Sequence, residues 1–527
     1  MLTPDQLKAA STLLQPIFEE FEDFVISDIA RRLMSAGAWT GSAEMQANLG
    51  VGAGVSLDRI IEAIKESLDI SDKELAALFE ALGATGLLQF NERLTGAGID
   101  PVKIDGFPRL EQITKEAIYQ TQGTLRNFTN SMGFAVKTVT GVRFMDVAAW
   151  YQNALDVAAL KVSTGVQDYN QAIRQIIKEM AQSGLRIVDY STGYSCGIDV
   201  AARRALLTGL NQMATEHALE VGNILETDLV EVTAHAGARP SHARWQGKIY
   251  KKNGRTAKYP NLNQATGYGT VAGLKGANCR HSFFPYVEGM PRTYTDDQLR
   301  VIDPPPFTYG GKTYTRYKAT QKQRAYERRI RALKRELVAY DAAGLEDEFE
   351  QASSVLYGTR RKYERFSEAA GLRVKNERHQ VYEFGRGISR KSTAAAGRYA
   401  EKLMEEMRKR AIIEEIKATG IKGQKFTLNP EVDEDFINGL GFDDEHVNNE
   451  RHHNVTLDEA RGFIRKAALE VEKWDGRYKN YYCEHGAVYV NVEDENNMFI
   501  RTSFKKGQFS KEVADTIAVL KKHGYFD

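Results

Sequence analysis

The 527-residue sequence has few cysteines, few prolines and almost no net charge. Its three cysteines, Cys196, Cys279 and Cys483, lie far apart, which argues against a disulfide framework and fits a reducing compartment such as a bacterial cytoplasm. No apolar run approaches the roughly 18 residues that cross a bilayer, and the amino terminus does not resemble a signal peptide, so we expect no membrane partner. The formal net charge of +1 excludes a global field that would attract nucleic acid.

The length predicts several domains, because a single hydrophobic core stops growing well below this size. Helical periodicity dominates, and a central stretch and the carboxyl-terminal segment mix helical with alternating patterns. We therefore predict a multidomain, mainly α protein with a central α+β core and a small carboxyl-terminal α+β domain. The predicted domains are a helical domain at 1–138, the α+β core at 139–300, a proline linker with a basic helical arm at 301–418, and an α+β domain at 419–527.

The amino-terminal pattern predicts helices only. Thr3 and Pro4 suit the start of a helix, and apolar residues then recur at helical spacing as far as Gly37. Ser71 and the acid three residues later resemble a capping box that starts a further helix. Another helix is expected from Leu110 to Met132, so the chain should be helical to about residue 135.

The pattern changes near the middle of the chain. Glycine and β-branched residues in 184–195 indicate a loop or a strand pair, and 199–225 has strong helical periodicity. Residues 228–235 alternate and predict a strand. This strand leads into Ala234–Gly289, which is rich in glycine, aromatic residues, histidine and cysteine and is therefore expected to fold as a compact loop-and-strand unit.

Four side chains of this unit are candidate zinc ligands, namely His235, His242, Cys279 and His281. Imidazole nitrogen and thiolate sulfur are the ligands that zinc prefers in proteins. The alternative is that they hydrogen-bond a small core, since no CxxC or HxxxH spacing is present. Catalysis by a histidine–cysteine pair, with Arg280 lowering the thiol pKa, is a further interpretation. A free metalloenzyme is disfavoured because no HExxH motif occurs.

The same region carries a family resemblance. TAHAGARPSHARWQGKIY, followed by TGYG and GANCRHSFFPY, resembles the central region of the phage minor capsid protein 2 family, within the wider MuF-like group of head morphogenesis proteins. The residues that match its motifs are Arg239, the Gly247–Tyr250 strand and Asn278–Arg280. The resemblance covers roughly residues 1–345. It implies a MuF-like core and a minor head protein that contacts the portal and other capsid proteins inside the virion, after assembly in the host cytoplasm.

A basic helix is predicted after the proline linker at 303–306. Between Arg316 and Leu337 there are nine basic and two acidic residues, with an apolar stripe at Ile330, Leu333 and Leu337. One interpretation is that the basic face lies on packaged DNA through nonspecific phosphate contacts. The other is a solvated helix whose charges pair with acidic neighbours.

The last hundred residues predict a separate module. Thr456 and the acids after it start a helix expected over 457–473, strands follow at 487–492 and 498–504, and a final helix covers 510–523. This order resembles the compact phage-borne ribonuclease domains related to barnase, EndoU, colicin D and RelE, which implies an RNA partner. Metal-independent RNA cleavage needs an acid, a base and cations on the phosphate.

The candidate residues for this chemistry lie in two short segments. His452 or His453 would transfer the proton, and Arg501 and Lys505 would hold the phosphate. The hydroxyls of Thr502 and Ser503 would donate hydrogen bonds to it. The alternative is a non-catalytic accessory domain in which the histidines cap a helix and the cations protect an edge strand.

Overall fold

The computed structural model describes residues 2–36, 42–102, 108–138, 141–163, 169–189, 192–276, 279–495 and 497–526. In these ranges the chain is mainly helical and forms several small sheets, so the mainly α character is confirmed. It divides into two compact units, Met1–Gly397 and Arg398–Asp527. The domain boundaries predicted at 138, 300 and 418 stay predictions.

Four helices open the first unit: α1 (Pro4–Ala10), α2 (Gln15–Ala36), α3 (Ser42–Gly96) and α4 (Pro108–Arg126). Thr3 caps α1 as predicted, because its hydroxyl accepts from the amide of Gln6 while the Gln6 side chain accepts from the amide of Thr3. The single long helix predicted here is wrong. Pro16 lacks an N–H and fits only the first turn of a helix, so the chain leaves α1 and starts α2 anew. The predicted end at Gly37 lies outside the described residues.

The capping box predicted at Ser71 is also wrong. Helix α3 runs through this position, and the buried Ser71 hydroxyl donates instead to the carbonyl of Leu68 at 2.8 Å. Buried Ile64, Leu75 and Phe79 continue one helical face on both sides of the serine. A continuous apolar face therefore outweighs a local capping signal.

The next elements add a four-stranded antiparallel sheet to the helices, in the order β2-β1-β3-β4. They are β1 (Met132–Thr138), β2 (Gly141–Asp146), α5 (Val147–Ser163), α6 (Tyr169–Ser183), β3 (Arg186–Asp189), β4 (Tyr194–Gly197) and α7 (Ile198–Ile224). The strand pair and helix α7 confirm the predictions made for these segments. The all-helical prediction to residue 135 is wrong, since α4 ends at Arg126 and β1 begins at Met132. A Cβ at Gly133 would lie 2.0 Å from the carbonyl oxygen of Met145, so this glycine lets the two strands approach.

A second, three-stranded antiparallel sheet follows in the order β6-β5-β7. Its segment comprises β5 (Leu229–Val232), α8 (Pro240–Ala243), β6 (Ile249–Lys251), α9 (Leu262–Thr266), β7 (Phe283–Tyr286) and α10 (Asp296–Arg300). The strand predicted at 228–235 is thus confirmed as β5. Buried Val232, Trp245, Tyr250 and Phe283 belong to a small core of this segment. We call 234–289 the hub.

The rest of the first unit is a hairpin followed by helices. Strands β8 (Phe307–Tyr309) and β9 (Lys312–Tyr314) form the hairpin, and α11 (Arg316–Ala343) and α12 (Glu346–Ala369) follow it. Helix α13 (Arg386–Ala418) contains the boundary between the two units at Gly397. The apolar stripe predicted on α11 is confirmed, because Ile330, Leu333 and Leu337 are buried in the core that α2 also lines. Helix α11 therefore belongs to the central packing of this unit.

The second unit contains one six-stranded sheet in the order β10-β12-β13-β14-β15-β11, antiparallel except for β11 with β15. Its elements are β10 (Lys425–Leu428), α14 (Glu434–Gly439), β11 (Gly441–Phe442), α15 (Leu457–Arg465), β12 (Leu469–Lys473), β13 (Tyr478–Tyr482), β14 (Gly486–Asn491), β15 (Phe499–Lys505) and α16 (Lys511–Lys522). The predicted cap at Thr456, both strands and the last helix are confirmed. The helix predicted over 457–473 is wrong in its second half, because Leu469 and Val471 alternate with glutamates and form β12.

Candidate functional site

Three of the four predicted zinc ligands lie together in the hub. His242 is carried by the short helix α8, and Cys279 and His281 lie just before β7. The Sγ of Cys279 lies 3.6 Å from Nδ1 of His281 and 3.8 Å from Nδ1 of His242. All three side chains are buried, and their ligand atoms lie within 4.8 Å of one another.

These separations agree with the dimensions of a tetrahedral zinc site. Bond lengths of about 2.3 Å to sulfur and about 2.05 Å to nitrogen place the two ligand atoms about 3.6 Å apart at the tetrahedral angle. The sulfur–nitrogen distances of 3.6 and 3.8 Å are close to this value. The two sulfur–nitrogen separations therefore have the length that two ligands of one tetrahedral ion would have, and the ligand atoms of the two histidines lie within 4.8 Å of each other.

The outer nitrogen of each histidine is hydrogen-bonded. Nε2–H of His242 donates to the carbonyl of Ala272 at 2.9 Å, and Nε2–H of His281 donates to the side-chain oxygen of Gln246 at 3.0 Å. These bonds leave the lone pair of each Nδ1 directed towards the thiol of Cys279. Metal-binding histidines commonly have this arrangement, in which an acceptor fixes the tautomer and the ring orientation.

The fourth candidate, His235, is not placed with the other ligand atoms. Its Nδ1–H donates to the carbonyl of Ala236 at 2.9 Å, and the Arg280 guanidinium lies 3.3 Å from the same nitrogen. The ring stacks on that of His281 at a centroid distance of 4.4 Å. His235 thus packs against the cluster, and Asn278, which belongs to the matching motif, lies outside the described residues.

The protonation states of the cluster follow from its burial. Burial, followed by the nearby His235 and His242, lowers the pKa of His281 to about 2, and burial also lowers the pKa of His242. Both imidazoles are therefore neutral at pH 7, which is the form that binds metal. Burial raises the pKa of the Cys279 thiol and outweighs the nearby cations, Arg280 among them, which act in the opposite direction, so the thiol does not have the lowered pKa that was expected. A nucleophilic cysteine needs the opposite shift.

A second buried group of charges joins helices α2 and α11. The Arg331 guanidinium donates to Glu19 at 2.7 Å and to Asp199 at 2.6 Å, and Arg335 donates to Glu22 at 3.0 Å. These side chains are at least 89% buried. The charge pairing in the second interpretation of the basic helix therefore holds for this part of α11, whereas its solvated face does not, because these cations and their acidic partners are buried.

The acidic residues of α2 are functional partners of these cations that the sequence patterns above do not predict. The segment EEFED places Glu19, Glu22 and Asp23 on a helix that is otherwise buried, and all three are at most 5% exposed. Carboxylates at core positions indicate a buried cation partner, because an unpaired buried charge is too costly to keep. This pattern could have suggested the network from the sequence, but not the identity of the partners.

In the second unit, three of the six predicted catalytic side chains have partners in the fold. Arg501 is ion-paired with Asp443, and Lys505 donates to Glu459 at 2.8 Å. The hydroxyl of the buried Ser503 donates to the carbonyl of Ala487 on β14 at 3.2 Å. Thr502 is paired with Tyr489 of the same strand. The three side chains at 501, 503 and 505 thus all have partners within the domain.

The two histidines differ in environment. His452 is exposed and has a positive φ of 55°, and its carbonyl accepts from Gln508 at 3.2 Å. His453 lies against Phe504 with a centroid distance of 5.6 Å, and burial lowers its pKa. Nδ1 of His453 is buried and has no hydrogen-bond partner among the described residues. His453 is therefore the candidate whose polar atom is left unexplained by the fold.

Comparison with known proteins assigns the family. The model of the family described as phage minor capsid protein 2 matches residues 2–368, well over half of the chain. The chain belongs to the phage minor capsid protein 2 family. The matched span includes the hub and the three helices of the buried ion-pair network, α2, α7 and α11, and it ends before the second compact unit begins.

Two phage proteins are similar to this member of the minor capsid protein 2 family. A structural protein of Lactococcus phage LL-H is 26% identical over 219 residues, which are 40% of this chain and 56% of the relative. A structural protein of Lactococcus phage mv4 is 36% identical over 87 residues, which are 16% of this chain and 62% of the relative. The chain thus spans less than two thirds of each relative. No solved structure matches it.

The sequence predicts no membrane-spanning segment in this minor capsid protein. Among the described residues, no helix is both long enough and apolar enough to span a bilayer.

Proposed function

We propose that this minor capsid protein acts in head morphogenesis, bound to the portal or to the inner face of the capsid, and that residues of the hub belong to a MuF-like core. The observation that carries the proposal is the family match over residues 2–368, which coincides closely with the first compact unit. Assembly would take place in the host bacterial cytoplasm, and the interior of the virion would be its final location. Portal and capsid subunits are its proposed partners.

The location is tested in the phage itself. An epitope tag is introduced into the gene, and DNA-filled virions and DNA-free procapsids are purified and treated with protease. A protein of the inner surface is present in both particles and resists protease until the capsid is opened. Digestion in intact virions, or absence from both particles, would refute the proposal. To distinguish the two proposed partners, the protein is co-expressed with the portal protein in one experiment and with the major capsid protein in another. Its partner is the subunit with which it co-purifies.

We also propose a structural zinc ion held by His242, Cys279 and His281. Zinc at this position would join α8 to the segment before β7 and would stabilise a hub whose own apolar core is small. The donor set fits the metal, because the spacings match, both imidazoles are neutral and both outer nitrogens have acceptors. His235 would support the His281 ring and not bind the ion.

The zinc proposal is tested on the purified full chain by elemental analysis. One zinc per chain is expected, and it should be lost in Cys279→Ser but kept in Cys196→Ser, which changes another thiol of the same unit. Cobalt substitution should give a thiolate charge-transfer band that only Cys279→Ser removes. A metal-free, folded wild-type chain, or equal loss of metal in both variants, would end the idea.

A second function, metal-independent RNA cleavage, is proposed for the second unit. This unit lies wholly beyond the family match, and the orphaned Nδ1 of His453 is a polar atom for which the fold gives no structural use. His453 or His452 would transfer the proton, and Arg501 and Lys505 would hold the phosphate after leaving their carboxylate partners.

Cleavage of a labelled RNA by the full chain tests this function. His453→Ala and Arg501→Ala should each reduce the rate by about 100-fold or more, whereas Lys425→Ala, at an exposed position of the same sheet, should not. An inactive wild type, or equal rates in all variants, would leave the second unit as an accessory domain.

A further inference from the structure

A cavity of about 440 Å³ lies where six segments of the first unit meet. These are the start of α1, the residues 234–236 after β5, the residue that follows Cys279, Tyr294 before α10, the first turns of α11 and the turn that follows α12. Small-molecule sites commonly have volumes of about 300–1,000 Å³. Six cationic side chains line the cavity: Lys8, Arg280, Arg316, Arg324, Lys375 and Arg378. Asp5 is the only carboxylate in the lining.

The cations of this cavity are poorly balanced by the protein. Arg378 has a carboxylate partner, Glu327, at 3.5 Å, and that glutamate also accepts from the hydroxyl of Tyr363. Arg316 donates to the carbonyls of Ala370 and Gly371. Within the part of the chain that the structure describes, the five cations other than Arg378 have no carboxylate at ion-pair distance. The lining therefore carries a net positive charge that Asp5 and Glu327 balance only in part.

The cost of this arrangement is visible in the titration of the same groups. Burial, followed by repulsion from Arg378 and Arg280, lowers the pKa of Arg324 to about 10. Burial and then Arg378 and Lys8 lower the pKa of Lys375. Cations that destabilise one another in a confined space are normally retained where an anion neutralises them. The unliganded cavity is thus less stable than the same cavity with its charges compensated.

We propose that this cavity binds a small multivalent phosphate anion of the pyrophosphate class. Guanidinium groups present paired N–H donors that match phosphate oxygens, and Arg280 lines the cavity from one segment while Arg316 and Arg324 line it from the first turns of α11. Converging positive charge at a concave surface also concentrates anions there. A volume of about 440 Å³ does not admit a DNA duplex, so a small anion is favoured over a nucleic-acid backbone.

The experiment uses the full chain with inorganic pyrophosphate as the probe. At constant ionic strength, pyrophosphate should raise the melting temperature with increasing concentration and should bind by calorimetry at one site per chain, whereas chloride should have no effect. Because binding raises the depressed pKa of Lys375, the wild type should take up more protons on binding at pH 8 than Lys375→Gln does, measurable as a difference in the buffer dependence of the heat. An equal proton balance in the two proteins would contradict the assigned site.

Arg324→Gln separates this proposal from a merely structural role. It removes one mutually repelling cation, so the variant without anion should melt at a higher temperature than the wild type, yet bind pyrophosphate at least about tenfold more weakly. Arg328→Gln, at an exposed position one turn further along α11, is the matched control and should bind within twofold of the wild type. Lys375→Gln gives the same comparison if Arg324→Gln does not fold.

Three results would overturn the proposal. One is a melting temperature that follows ionic strength alone. Another is equal weakening of binding in Arg324→Gln and Arg328→Gln, which would indicate nonspecific attraction to the helix. The last is displacement of pyrophosphate by a duplex oligonucleotide from the same site, which would assign the cations to a nucleic-acid backbone.

Discussion

Replacement of Arg331 by methionine should strongly destabilise the first unit. The arginine side chain is 11% exposed and donates to two carboxylates, at 2.7 Å to Glu19 and 2.6 Å to Asp199. Methionine has a similar length but leaves both acids buried without a cation. Hydrogen bonds to charged groups contribute about 1.5–3 kcal/mol each, and removal of one partner from a buried ion pair costs about 3–5 kcal/mol. We expect a loss of about 3–5 kcal/mol at pH 8.

The loss should also depend on pH. Burial raises the pKa of Glu19 to about 7 even beside Arg331, and removal of the cation raises it further. Between pH 7 and the new pKa, the folded variant holds a proton that the folded wild type has released. The unfolded states do not differ there, so the destabilisation should grow as the pH rises through this range, by up to about 1.4 kcal/mol per pH unit.

Hydrogen exchange measured by mass spectrometry is the suitable assay, because it reports the opening free energy of α2 and α11 separately from the second unit. Arg328→Met, at an exposed position of the same helix, should change stability by no more than about 0.5 kcal/mol. Arg331→Lys keeps the charge but not the planar fork and should fall between the two. The reasoning is refuted if Arg331→Met costs less than about 1 kcal/mol, or if Arg328→Met costs as much.

Three further predictions concern single positions in both units. Burial, followed by the neighbouring Glu22 carboxylate, raises the pKa of Asp23 to about 8. The folded state therefore keeps a proton that the unfolded state loses near pH 4, and the free energy of unfolding falls as the pH rises between these values. Asp23→Asn should flatten this decline in urea titrations at pH 5 and pH 8, and an unchanged slope would contradict it. Thr456→Ala should lower the free energy of unfolding by about 1 kcal/mol, because a capping box is lost. Ser71→Ala should lower it by less, because Ser71 does not cap a helix. Equal shifts of the melting temperature in the two variants would contradict the assignment. Gly273→Ala should disrupt the hub, because the new Cβ would lie 1.9 Å from the carbonyl oxygen of Gly267, and proteolysis within the hub should accelerate; unchanged cleavage would count against this packing.

Local features of this fold were accessible from the sequence. The caps at Thr3 and Thr456 rest on side chains that bond amides three residues away, so a short segment contains all the information. The alternation in 228–235 likewise predicts a strand, although the successive residues Val230, Glu231 and Val232 show that β5 is buried on both faces. Of the four residues grouped as candidate metal ligands, His242, Cys279 and His281 lie together because a small Gly-rich segment has few ways to bury such residues, whereas His235 packs beside them.

The failures have a common physical cause. Ser71 has the local signal of a cap, yet the apolar face of α3 continues past it, and burial outweighs the cap. The sequence of its own helix predicts that Arg331 is a solvent-exposed cation. It is instead buried, because its partner Glu19 packs against it from a segment 312 residues away. The cationic cavity depends in the same way on segments as distant as Lys8 and Lys375. Periodicity shows which side of a helix is buried, but not which element covers it.

The structure also limits how helix α11 could contact DNA. Of its nine basic residues, Arg331, Lys334 and Arg335 are buried, and two more line the cavity. Four remain exposed, and one of these, Arg329, lies 3.5 Å from Glu336. Each neutralised phosphate contributes about 0.9 to the slope of log affinity against log salt concentration, so α11 alone supports a slope of at most about 4. A filter-binding titration of the full chain with duplex DNA between 50 and 200 mM salt measures it. A steeper slope would require basic residues outside α11, and a slope unchanged in Lys322→Gln combined with Arg328→Gln would exclude this helix from the contact.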